Sequence, residues 1–222
     1  MKKIAAIAAL TLATSAQAGV ISFSDSIAIQ STNWNSAVSI GKFDTTLGML
    51  TSITFSLEGI VNGQARAESL DAQPATVTLD LAGEIKLQRP DMSVLVTTNP
   101  VVSSVFNLAA FDGTIDFAGA SGVDTGSVSA SASDALTSTS AADFLLFSAA
   151  GGGVINMPVL AAGLSTGSGA GNLVTQFTTL AGANVTVTYN YTDAPTSSVP
   201  EPGTLAMAGL GLLGLGALRR RK

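Results

Sequence analysis

The sequence contains no cysteine and no histidine. Disulfides, thiolate nucleophiles, histidine general bases and Cys/His zinc sites are thereby excluded, and with them the commonest catalytic machinery. Charge is scarce too: Asp, Glu, Lys and Arg make up 11% of the residues, aromatics 5%, and there is a single tryptophan. Lys and Arg number 10 against 15 Asp and Glu, so no basic surplus exists to meet a phosphate backbone and nucleic acid is excluded as a partner. What is abundant is small and apolar, with 23 glycines and a mean hydropathy of +0.45. A chain of 222 residues is bounded at one or two domains. A domain of that size buries roughly 70% of its extended-chain surface, so it needs no disulfide.

The two ends read as addresses. Met1-Lys2-Lys3 is a short positive segment, residues 4–13 are apolar, and Ala16-Gln17-Ala18 has the A-x-A form of a cleavage site. That apolar stretch is well short of the roughly 20 residues a membrane span needs, so residues 1–18 are expected to be a cleavable signal helix for the Sec translocon, cut between Ala18 and Gly19. At the other end Val199-Pro200-Glu201-Pro202-Gly203 is followed by the apolar residues 204–218 and then by Arg219-Arg220-Arg221-Lys222. Prolines on both sides of Glu201 prevent a helix or strand from continuing, which leaves the motif extended and accessible. As a helix at about 1.5 Å per residue, 204–218 spans roughly 22 Å, short of a hydrocarbon core of roughly 30 Å. Gly209, Gly211, Gly214 and Gly216 weaken it further. The four terminal basic residues hold that end in the cytoplasm and place the rest of the chain on the translocated side.

This tail resembles a PEP-CTERM sorting signal, in which a Pro-Glu-Pro motif (here Pro200, Glu201 and Pro202), a short Gly/Leu/Ala-rich transmembrane helix and an Arg cluster (here Arg219, Arg220 and Arg221) follow in order. The resemblance implies recognition by an exosortase, a membrane-embedded cysteine protease of Gram-negative bacteria. It also implies transient anchoring in the inner membrane, followed by release to the cell surface or the extracellular space. The alternative is an ordinary C-terminal anchor on a Pro-rich stalk.

Residues 19–194 read as one all-β domain, joined to residues 200–222 by a linker at 195–199. Ile53, Phe55 and Leu57 alternate with Thr54 and Ser56; Val77, Leu79 and Leu81 alternate with Thr78 and Asp80; Val185, Val187, Tyr189 and Tyr191 alternate with Thr186, Thr188 and Asn190. A period of two marks half-buried strands. Further strands are expected at 19–24, 37–43, 84–88, 92–97, 127–133 and 144–147. Turn chemistry is expected at Asn62-Gly63, Arg89-Pro90-Asp91, Asn99-Pro100, Asp112-Gly113 and Gly151-Gly152-Gly153, and residues 163–171 read as a loop. Many short strands with such punctuation predict an antiparallel β-sandwich, jelly-roll-like or Ig-like, with no substantial helix. In residues 118–140, nearly all Ser, Ala, Gly and Thr, the expectation is a small-residue strand with Val128, Ala130 and Ala132 on one face. Residues 42–53, KFDTTLGMLTSI, are similar to an element of choice-of-anchor E domains. That resemblance implies a β-rich extracellular module and brings no catalytic residues with it.

With neither His nor Cys, enzymatic options reduce to carboxylate pairs, a Ser activated by Lys, or a metal held by oxygen. Glu58, Glu68 and Glu84 are the only glutamates between the two end segments and their spacing pairs none of them; solvated turn and edge positions are expected. Lys42 and Lys86 sit near no nucleophile motif and suit edge-strand protection. Asp112 and Asp116, four apart around Gly113, are the candidate calcium ligands, in a spacing that matches no EF-hand; the competing reading is plain Asp-Gly turn chemistry. Trp34, between Asn33 and Asn35, is either core or a glycan-stacking platform. The N-x-T sequons at Asn184 and Asn190 fall in an expected strand and read as unmodified. No cofactor is expected. The chain therefore reads as a non-enzymatic exported surface or matrix protein, the alternative being a carbohydrate-binding module that meets exopolysaccharide, with or without calcium. Removing the two ends sharpens this. Residues 19–200 hold 4 basic and 14 acidic residues, a formal charge of −10, and no basic residue lies between Pro90 and Pro200. Neutral glycans or cation-bridged matrix suit such a body better than anionic polymers.

Overall fold

After Gly48 the odd-numbered residues Ile53, Phe55, Leu57, Val61, Ala65 and Ala67 are all buried, while the even-numbered residues between them stay partly exposed. That alternation runs from Ile53 to Ala67 within a strand of 22 residues, Gly48–Ser69, about 70 Å long at about 3.3 Å per residue. It pairs antiparallel with another strand, Leu173–Asp193, over almost its whole length. The computed structural model describes residues 18–194. The expected signal helix with Ala16, the linker, the sorting motif of Pro200, Glu201 and Pro202, the transmembrane helix and Arg219, Arg220 and Arg221 lie outside the described residues.

In chain order the elements are β1 (Ala18–Ser31), β2 (Trp34–Gly41), β3 (Phe43–Asp44), β4 (Gly48–Ser69), β5 (Ala75–Gln88), β6 (Val94–Thr98), β7 (Val101–Leu108), β8 (Gly122–Asp124), β9 (Val128–Ser138), α1 (Ala141–Phe147), β10 (Ser148–Ala149), β11 (Val154–Gly163), β12 (Thr166–Ser168) and β13 (Leu173–Asp193). The first sheet runs β1-β13-β4, with β8 and β9 sharing the far edge of β4. The second runs β2-β11-β5, with β12 beside β11 on one edge of β5 and β6 and β7 sharing the other.

The pairings nest. β1 pairs with β13, β2 with β11, β4 with β9, and β5 with β6 and β7, all antiparallel. The chain is thus one long hairpin folded at its middle and rolled up, with successive long strands alternating between the sheets except at that middle, where β5, β6 and β7 stay in the second sheet. This is the eight-position jelly roll, which decides between the two sandwiches expected from the sequence.

Between the sheets the buried side chains grade from large to small. The main cluster gathers Ile40, Phe43, Ile53, Phe55, Leu87, Phe147, Met157 and Tyr189; a smaller one holds Ala65, Ala67, Val77, Leu79 and Leu108. Burial pushes the Tyr189 phenol above its ordinary pKa. Its hydroxyl donates to the Gly41 carbonyl at 2.9 Å, joining β13 to β2 across the core.

Several sequence expectations are corrected. Asn62-Gly63 is no turn but the middle of β4. A Cβ on Gly63 would lie 1.9 Å from the Thr178 carbonyl oxygen, so this glycine permits close strand approach. Residues 144–147 are not a strand but belong to α1, whose start is fixed by the Ser140 hydroxyl accepting from the Ala142 N–H. Residues 77–81 and 84–88 are one strand, continuous through Gly83. Within 163–171 a short strand, β12, pairs with β5. Glu68, expected at a solvated turn, is fully buried at the end of β4. The turns at Arg89-Pro90-Asp91, Asn99-Pro100, Asp112-Gly113 and Gly151-Gly152-Gly153 are found, and β9 carries the expected small-residue alternation.

Candidate functional site

The outer face of the second sheet presents a site built by register. On β11, Val159 and Ala161 are buried in the core, so Leu160 and Ala162 face outward. Leu160 lies between Lys86 on β5 and Asn35 on β2; Ala162 lies beside Glu84, with Asn33 at the turn that precedes β2. Four polar residues therefore stand around a two-residue apolar floor, enclosing a shallow depression of about 400 Å3. Two strand spacings by two residues along a strand make its frame about 10 by 7 Å. Lys86 Nζ and Glu84 Oε1 are 2.5 Å apart, so the local charge cancels. The Asn33 side-chain carbonyl accepts from the Gly163 N–H at 2.7 Å, which holds the turn against the end of β11.

Trp34 lies between Asn33 and Asn35 and is itself among the residues lining the depression, yet its indole engages the core. It pairs with Ala161, packs partly buried against the main cluster, and donates its indole N–H to the Ala181 carbonyl on β13 at 3.1 Å. This is the core reading of that residue, and its neighbours Asn33 and Asn35 carry the polar surface.

Asp112 and Asp116 are each engaged by a nearby backbone N–H. Asp112 Oδ1 accepts from the Thr114 N–H at 3.0 Å and Asp116 Oδ1 from the Ala118 N–H at 2.9 Å, each turning its own loop. Among the described residues no group of three His, Cys, Asp or Glu could hold a metal ion. The carboxylate that organises this region is Glu68, which accepts from the Ser121 hydroxyl at 2.6 Å and the Phe117 N–H at 2.8 Å. Glu58, by contrast, lies mid-strand on the outer face of the first sheet and accepts from the Asn184 amide at 2.9 Å. With Glu84 on the second sheet, the three glutamates occupy three separate places. Of the two lysines among the described residues, Lys86 belongs to the depression and Lys42 to the break between β2 and β3.

Ala18 and Gly19 begin β1, opposite Thr192 and Tyr191. A cut between them leaves all of β1 but its first residue. At the same end Ala194 donates to the Leu47 carbonyl at 2.9 Å, so the chain enters and leaves the domain side by side.

Two features escaped the sequence. The depression is made of Asn33 and Asn35 on one strand end and Glu84 and Lys86 on another, each a visible i, i+2 pair, but only β11 brings the pairs together. Arg89, partly exposed, and the buried Asp143 form a bidentate ion pair that no local motif announces.

The described domain is an all-β antiparallel sandwich of jelly-roll topology. Residues 198–222 match the family model described as the PEP-CTERM protein-sorting motif. The chain is thus an exported protein carrying a PEP-CTERM signal that directs it toward the cell surface, with an exosortase as processing partner. The match lies in the tail and does not bear on the choice-of-anchor E resemblance. No curated protein matches the chain. Among solved structures it is similar to two of infectious bursal disease virus. The Gx strain is 13% identical over 87% of this chain and 47% of that one, with a TM-score of 0.21; the VP2 subviral particle is 14% identical over 90% and 49%, with a TM-score of 0.23. The chain spans about half the length of these proteins, and scores this low carry no argument about function.

Proposed function

We propose that residues 19–194, of choice-of-anchor E type, are a non-enzymatic surface or extracellular-matrix domain. In this reading a Sec signal peptide at 1–18 exports the chain in a Gram-negative cell, and the tail at 200–222 holds it transiently at the inner membrane until exosortase cuts it. The observation that carries the reading is the sorting signal at 198–222. Glu58, Glu68 and Glu84 lie in three separate places, so no two glutamates supply the carboxyl pair that glycoside cleavage uses. The exported protein is expected to show no turnover on polysaccharide and ester panels, with or without calcium, and an intact mass that ends near Pro200 without Arg219 to Lys222. Turnover would overturn the non-enzymatic role, and a full-length tail on the released protein would overturn the processing.

A second reading, a carbohydrate-binding module that meets exopolysaccharide, is favoured by the depression at Asn33, Asn35, Glu84 and Lys86. Polar groups around an apolar floor suit a sugar, which offers hydroxyls at its rim and C–H groups on its face.

A further inference from the structure

We infer that this depression is a binding subsite for a neutral pyranose unit within a glycan chain; the inference rests on the carbohydrate-binding reading. The floor comes from the central strand and the polar rim from the strands on either side, so the polar groups flank the apolar contact on two sides. Leu160 and Ala162 meet the C–H face of one ring. The exposed Asn35 amide offers both a donor and an acceptor to neighbouring hydroxyls. Across the floor Glu84 accepts and Lys86 donates, which complements the same hydroxyl pattern from the other side. At about 400 Å3 the depression lies within the range of small-ligand sites, and its openness to solvent lets a polymer run across it.

Charge selects the class. The body of the chain carries −10, which repels anionic polymers, whereas this spot holds one acid and one base in contact. The comparable depression on the first sheet, about 360 Å3, is lined by Glu58 and Asp134 with no basic residue. Its Glu58 is already engaged by Asn184. The second-sheet site is therefore where an uncharged sugar meets a charge-neutral polar rim over an apolar floor.

The test is titration calorimetry of the full chain, purified in detergent, against neutral hexasaccharides of β-1,4-linked glucose and mannose, with an alginate hexasaccharide as the anionic probe. Binding of a neutral probe is expected. Asn35→Ala and Glu84→Gln should each weaken it about fivefold to tenfold, the effect of one lost hydrogen bond of roughly 1 kcal/mol. Glu58→Gln should leave it unchanged. Both rim residues are partly exposed, and unaltered Trp34 fluorescence certifies the fold of each variant. Neutral-sugar binding that survives both rim substitutions overturns the site while sparing the carbohydrate reading. Binding to alginate alone overturns the ligand class. No binding to any of the three probes overturns both.

Discussion

Arg89 grips Asp143 with two prongs, Nε to Oδ1 at 2.7 Å and Nη2 to Oδ2 at 3.0 Å, although the residues lie 54 positions apart. Asp143 is 3% exposed and its Oδ2 also accepts from the Ser138 hydroxyl at 2.5 Å. The pair fastens α1 to the end of β5. The Arg89 guanidinium holds the Asp143 carboxyl below the usual carboxylate range, against the opposing effect of burial. A depressed folded-state value means the stabilisation is complete above the unfolded pKa of about 4 and is lost as pH falls through the folded value. Thermal unfolding should therefore show a fall in Tm below about pH 4 that is smaller in Asp143→Asn, which no longer titrates at this position. At neutral pH, Arg89→Ala should cost about 3 kcal/mol, because it strands a buried carboxylate.

Trp34 supplies a built-in reporter, being the only tryptophan. Its indole bonds to Ala181 across the sandwich, so Trp34→Phe should lower stability by about 1 kcal/mol through the lost hydrogen bond. Trp34→Ala should cost more, about 3 kcal/mol. Urea titration followed by circular dichroism measures both. A Trp34→Ala protein as stable as the parent would contradict the packed position described here.

Gly63 and Gly126 make a matched pair of tests. A methyl at Gly63 runs into the Thr178 backbone, so Gly63→Ala should push β13 away from β4 and cost about 2 to 3 kcal/mol. Gly126 has φ +62 with open space around it, so Gly126→Ala should cost only the conformational penalty of about 1 kcal/mol. Equal losses in denaturant melts would show that crowding at Gly63 is relieved locally.

Asp25 and Asp134 terminate one continuous row of the first sheet, Asp25–Val185–Leu57–Asp134, whose two middle members are buried. Each aspartate thus stands at a core-facing position of an edge strand. Asp25 Oδ2 also accepts from the Ser39 N–H at 2.8 Å, stitching β1 to β2. Charges placed there oppose the addition of a further strand. The double variant Asp25→Val, Asp134→Val should raise the apparent mass by light scattering relative to the parent; an unchanged mass would refute edge protection by these residues.

The period of two was legible wherever large apolar residues carried it, as at Ile53, Phe55 and Leu57 or at Val185, Val187 and Tyr189. It faded where the inward positions became Gly59, Gly63, Ala65 and Ala67. Small residues give no amphipathic contrast, so Asn62-Gly63 looked like a turn although the strand runs through it. The stretch 144–147 looked like a strand because four apolar or aromatic residues stand together. The Ser140 cap and the distant Arg89 decide for a helix. The candidate site was visible as its halves, Asn33 with Asn35 and Glu84 with Lys86, but their meeting depends on a register set by β11 some 75 residues beyond Glu84. Long-range register of that kind has no local signature.

The nested pairing also dictates an order of events. The first strand of the domain in chain order, β1, has as its partner the last, β13, and Gly19 must wait for Tyr191. β4 likewise cannot complete its central pairing until β13 is present. Contacts this remote in sequence form slowly and leave sheet edges open in the meantime. The domain therefore cannot close until the chain is present as far as Asp193, five residues before the sorting match begins at 198. The strand that completes the fold thus lies immediately ahead of the sorting signal in the chain.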